Sequence, residues 1–78
     1  MRIELSQDQA LVLSDWMDRV LHTKEFGAQV DDRAVWSALF VISGTLETSL
    51  PAIFAADYGE QLEAARERLL PQLGDFGK

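Results

Sequence analysis

From Ala34 to Leu46 this chain carries no charged residue, although 26% of its residues are Asp, Glu, Lys or Arg. Within the surrounding stretch, Asp31 to Leu50, the residues Val35, Leu39, Ile42 and Leu46 recur at helical spacing. Trp36 and Phe40 widen that stripe, and Ala34, Ser37, Val41, Gly44 and Thr48 form a strip of mostly small residues opposite. A helix apolar nearly all round needs cover on nearly every side. The spacing therefore predicts a buried central helix over about residues 32–48, around which the rest of the chain is organised. Asp31 is expected to cap it, and Asp32 adds negative charge at the positive end of its dipole. Trp36, Leu39 and Ile42 are expected in the core.

The flanking segments read as that cover. Ser6 followed three residues later by Gln9 is a capping box, opening a helix over about residues 7–22. Ala10, Leu13, Trp16, Met17, Val20 and Leu21 share one arc of it, and Ser14, Asp15, Asp18, Arg19 and His22 share the other. Leu11 interrupts the polar arc, either as a stray exposed leucine or as part of a contact. His22 to Gln29 loses the helical period and reads as a connection anchored by Phe26. Pro51 ends the central helix, and Ala52 to Ala56 makes an apolar turn with Ile53 and Phe54 directed inward. Asp57 with Glu60 is a second capping box, opening a helix over about residues 58–70 whose stripe is Tyr58, Leu62, Ala65 and Leu69. Pro71 is expected to end or kink it, leaving a mobile C-terminal tail with Gly74 and Gly77. Met1 to Leu5 reads as a short extended arm. The expectation is an all-α, compact three-helix domain occupying residues 1–78.

Composition limits the function classes. At 78 residues, folding removes roughly 60% of the surface that the unfolded chain exposes. No cysteine is available as a staple or a zinc ligand. Thirteen acidic against seven basic residues give a net charge of -6, which repels a nucleic acid backbone, and no basic cluster opposes it. The charge-free run falls short of the roughly 20 residues that a membrane span needs. These features point to a soluble, cytoplasmic protein that binds neither nucleic acid nor membrane.

Candidate chemistry is sparse. Asp15, Asp18 and His22 share a helix face, but the only histidine has no cysteine or second histidine beside it to complete a metal site. They read as a solvated face. The serines and threonines read as caps, loop residues or packing residues, and no Gly-rich turn follows a strand. The expectation is a non-enzymatic chain with no catalytic residue, cofactor, metal or small-molecule substrate. A recognition helix is equally unsupported, because the helices lack exposed Arg, Lys, Asn and Gln in the required pattern. Trp16 and Trp36, at core spacing, read as core.

What remains is interaction. Three short elements cover two or three sides of a central helix, so its small-residue strip receives either the last helix or a second polypeptide. Ala34, Ser37, Phe40, Val41 and Gly44, with Leu11 from the first helix, are the candidate interface residues. A homodimer is expected, with the acidic faces outward. The alternative is an immunity or antitoxin-type inhibitor, an acidic helical protein that captures a basic toxin by electrostatic steering.

Several groups of residues also carry a resemblance. They are Ala10-Leu11-Val12-Leu13 with Trp16 and Arg19, Arg33 with Val35-Trp36, Leu46-Glu47 with Leu50, and Asp57-Tyr58 with Leu62, Ala64-Ala65-Arg66 and Leu69. This pattern of helix faces and caps resembles a group of small all-helical, actinobacterial-type proteins of unassigned function, over most of the chain. The sequence departs from them at Ser37 to Gly44, where the relatives alternate charged residues and this chain adds apolar ones. The resemblance implies an all-helical fold and supplies no catalytic residues.

Overall fold

The computed structural model describes residues 1–77. Lys78, the end of the expected tail, lies outside the described residues. The chain is all-α, with α1 (Gln7–Val20), α2 (Lys24–Gln29), α3 (Val35–Ser49), a 3-10 turn (Pro51–Phe54) and α4 (Tyr58–Leu73).

The helix in the middle is α1. It packs against α4 on one side and α3 on the other, and no comparable contact joins α3 to α4. Two small cores result. Leu11 meets Ala52, Leu62 and Ala65 between α1, the 3-10 turn and α4. Met17 and Leu21 meet Leu46 and Leu50 between α1 and α3, with Phe26, Trp36 and Leu39 packed against them. Ile53 touches both clusters and ties them together.

Two expectations are reversed by this arrangement. Leu11 is only 4% exposed and belongs to the core rather than to a surface. Conversely α3, the most apolar helix, buries a single residue, Leu46. Trp36 and Leu39 are half-buried and Ile42 is exposed, so none is a fully buried core residue. The physical reason is supply. Hydrophobic side chains state a preference for cover, but α1 takes both available partners and α3 keeps only one contact face.

Local signals explain the ends of the helices. The Ser6 capping box is formed, with Gln9 N–H donating to Ser6 Oγ at 3.0 Å and Ser6 N–H donating to Gln9 Oε1 at 2.8 Å. The expected connection over residues 22–29 contains α2, because Thr23 joins two helices. Its hydroxyl donates to the Val20 carbonyl at 2.9 Å and accepts from Phe26 N–H at 3.2 Å. Asp32, not Asp31, prepares α3: its Oδ1 accepts from Ala34 N–H at 2.9 Å, the two-residue reach of an Asx turn, and the helix begins at Val35. The second capping box is not formed. Asp57 Oδ1 instead accepts from Gln61 Nε2 at 2.7 Å. Nor does Pro71 end α4, which continues to Leu73. Pro71 cannot donate to the carbonyl one turn back, and the helix runs only two residues beyond it. Gly74 then takes φ 60°, a left-handed conformation that favours glycine, and closes the helix.

The fold is open for its size. Its radius of gyration is 13.7 Å, against about 11.5 Å for a typical domain of this length. Its accessible surface is 6224 Å², above the roughly 4,700 Å² that this mass predicts for a folded monomer.

Candidate functional site

Part of this exposed surface lies on α3, where Val35, Phe40, Val41 and Ile42 are all exposed. The side of α3 that carries Trp36, Leu39 and Leu46 rests on the rest of the molecule, which turns Ala34, Ser37, Phe40, Val41 and Gly44 outward. Phe40 is 56% exposed and Val41 67%. No charged residue interrupts this outer face, so a phenyl ring, an isopropyl group and small residues meet water together. Five of the six candidate interface residues therefore share one exposed face. Leu11 does not, because it is buried beneath α4.

Gly44 sharpens the picture. A glycine within a helix costs about 1 kcal/mol relative to alanine. Yet a Cβ added at Gly44 would meet nothing within 4 Å, so no packing inside the chain requires its absence.

An aromatic series leads to this face. Trp16 and Phe26 form a T-shaped pair at 5.6 Å between centroids, Phe26 and Trp36 form another at 5.9 Å, and Trp36 stacks on Phe40 at 5.6 Å. Contacts of this kind contribute roughly 0.5–1.5 kcal/mol each beyond the area they bury. Trp16 itself is exposed, which corrects its reading as core. The explanation lies in α2: by presenting Phe26 it gives Trp16 an aromatic partner near the surface. Beside α3 the N-terminal arm borders a groove of about 560 Å³, in which Ile3 and Leu5 face Leu13, Val41 and Ile42. Ile3 and Leu5 remain largely exposed there.

The supposed solvated face of α1 is also recast. Asp15 Oδ1 accepts from the Tyr58 hydroxyl at 3.0 Å, and Oδ2 accepts from Arg19 Nε at 2.9 Å and lies 3.7 Å from Arg66 Nη2. Asp8 accepts from Arg68 Nε and Nη2, each at 2.8 Å. These pairs seat α4 on the side of α1 that its sequence marks as polar. The Arg68 hydrogen bond holds Asp8 below the ordinary carboxylate range. The stabilising effect of that pair is present above the unfolded carboxylate pKa and lost as pH falls through the folded one. Asp18 and His22 are exposed and make none of these hydrogen bonds or ion pairs, although the charge of Asp18 adds to the upward shift of Tyr58.

Partial burial first, and the Asp15 hydrogen bond second, raise the Tyr58 hydroxyl above its ordinary value. A folded state that holds the proton more tightly loses stability as pH rises from the unfolded value, 10.0, through the folded one. Tyr58 is the only tyrosine, so tyrosinate absorbance during an alkaline titration reports it alone. The midpoint should lie above the free tyrosine value and fall towards it in Asp15→Asn. An ordinary midpoint in the native protein would show that the bond to Asp15 is not made in solution.

Among the described residues, no three His, Cys, Asp or Glu side chains gather as a metal site, and no helix is long and apolar enough to cross a membrane. No protein-family model, curated protein or solved structure matches this chain.

Proposed function

We propose that this chain is a non-enzymatic, acidic helical protein-interaction module that self-associates through the outer face of α3. The observation that carries the proposal is the exposure of Phe40 and Val41 on a helix face without charge. Area supports it. The surface exceeds the monomer expectation by about 1,500 Å², whereas a standard interface takes about 800 Å² from each partner. The excess can supply such an interface even after the exposed arm and tail claim a share.

Chemistry favours a second copy as the occupant. A two-fold interface places a patch against itself, so each charge on it must face its own kind or find another partner. The α3 face has none to place. Its small residues allow two helix backbones to approach closely, and Gly44 acquires a reason that the isolated chain does not provide. The net charge of -6 stays on the outward faces. The inhibitor reading draws on that charge and predicts a toxin encoded beside this protein. It does not explain the charge-free face.

Light scattering coupled to size exclusion at about 10–100 µM tests the proposal across the range where a moderate interface is populated. The native chain should approach twice 8.7 kDa, and Val41→Glu should return it to 8.7 kDa. Gly44→Ala separates the two explanations of the glycine. The alanine should stabilise the dilute monomer by about 1 kcal/mol, yet weaken the dimer by placing a methyl at the closest approach. A constant 8.7 kDa mass, with Val41→Glu changing neither mass nor melting temperature, would rule out self-association.

A further inference from the structure

On the inner side of α1, where α3 and the 3-10 turn converge on it, lies a second feature that the α3 strip does not share. It is a cavity of about 410 Å³, within the range of small-molecule sites, and its lining includes Asp18 from α1 and Glu47 from α3. Neither carboxylate makes an ion pair or side-chain hydrogen bond with any described residue. Asp15 also lines the cavity, but both its oxygens are already engaged by Tyr58 and the two arginines.

The cavity has a polar group at its inner wall. Ser14 is only 9% exposed, and its hydroxyl makes no hydrogen bond with any described residue although it sits against this space. Among the described residues no buried side-chain oxygen or nitrogen lacks a partner, so this hydroxyl opens to the cavity, where a bound donor or acceptor can reach it. The lining contains, among the described residues, no Lys or Arg to neutralise the acids. On the outer rim Phe54 is 85% exposed, contrary to its expected inward position, and offers an aromatic surface beside the carboxylates.

We infer that this cavity binds an organic cation, a primary ammonium or a guanidinium on an aliphatic stem. The two free carboxylates supply opposite charge, the Ser14 hydroxyl accepts an N–H, and Ile53 and Phe54 cover the stem. Hard metal ions fit less well. They take six or more oxygens at short distances, whereas the acids here do not gather in threes. Such a cation can arrive free or as the side chain of a basic polypeptide. Both present the same chemistry to Asp18 and Glu47.

The test follows amide chemical shifts of the ¹⁵N-labelled full chain during titration with n-butylammonium, n-butylguanidinium and a capped Gly-Lys-Gly peptide, with n-butanol as the neutral control. Saturable shifts around Ser14, Ser43 and Glu47 are expected with the cations and not with butanol. The Asp18→Asn, Glu47→Gln double variant should weaken binding by roughly tenfold. Both positions are exposed, so the variant should fold, and its spectrum away from the cavity shows whether it has. The remote substitution Glu60→Gln should leave binding unchanged. Tighter binding of the peptide identifies a polypeptide side chain as the source, and tighter binding of the free cations identifies a small molecule. No saturable shift, equal shifts with butanol, or unchanged affinity in the folded double variant would overturn the assignment. The α3 strip and the cavity share no residue, so failure of the dimer leaves this site standing, and the reverse also holds.

Discussion

Leu11→Ala should destabilise the protein by about 2–5 kcal/mol, the range for emptying a buried leucine site. For a chain of this length total stability is about 4–12 kcal/mol, so the loss is a large share of it. Leu11 is 4% exposed and is where α1, the 3-10 turn and α4 come together through Ala52, Leu62 and Ala65. Removing its side chain leaves a gap that three elements border. Leu39→Ala should be markedly milder, since Leu39 is half-buried at the margin of the other cluster. Urea melts of the two variants compare them directly, with the slopes checked for equality so that the midpoints report stability alone. A Leu39→Ala loss equal to or above that of Leu11→Ala would mean that α3, not α1, is the organising helix.

That contrast shows what a sequence pattern conveys and what it leaves out. Local signals are legible in part: the Ser6 box and the break at Pro51 follow from side chains acting within four residues, whereas α4 starts at Tyr58 without the capping box its sequence suggests. Long-range choices are not. The side of α1 facing α4 looks polar because part of its contact is made by ion pairs and a phenol, Asp8 with Arg68 and Asp15 with Tyr58, from distant parts of the chain. Periodicity registers apolar residues and is blind to such pairing. Leu11, isolated among acids on that side, was the one available trace of it.

The misplacement of Phe54 has a local cause. A 3-10 turn has three residues per turn, so adjacent side chains point well apart and Ile53 and Phe54 cannot both face the core. Ile53 takes the inward position between the two clusters, and Phe54 is left at the rim of the acidic cavity. For α3 the limit is different. Its composition reads as a demand for cover that this chain does not meet, since α3 buries only Leu46 and leaves Phe40, Val41 and Gly44 exposed. How much cover the chain can provide depends on how many helices remain after α1 has been satisfied, which no single segment encodes.

Ala65→Leu should destabilise the protein by about 1–3 kcal/mol, the usual cost of overpacking. Ala65 is 0% exposed, the most completely enclosed residue in the core, and lies where α4 comes against α1 beside Leu11. Leucine is nearly as good a helix former as alanine, so the substitution leaves the intrinsic preference of α4 almost unchanged and isolates the packing effect. To admit three more carbons α4 must move away from α1 or nearby side chains must leave their preferred rotamers. Ala64→Leu, one position along and only half-buried, is the matched control and should change stability little. Thermal unfolding resolves the two, since each kcal/mol corresponds to about 4–8 °C in a domain of this size. Displacement of α4 has an independent reporter, because the Tyr58 hydroxyl donates to Asp15 across the same interface. In Ala65→Leu the tyrosinate midpoint should move back towards its free value, while Ala64→Leu leaves it raised. If Ala65→Leu melts like the native protein and keeps the raised midpoint, α4 is not seated on α1 through Ala65, and the two-sided packing of α1 is wrong.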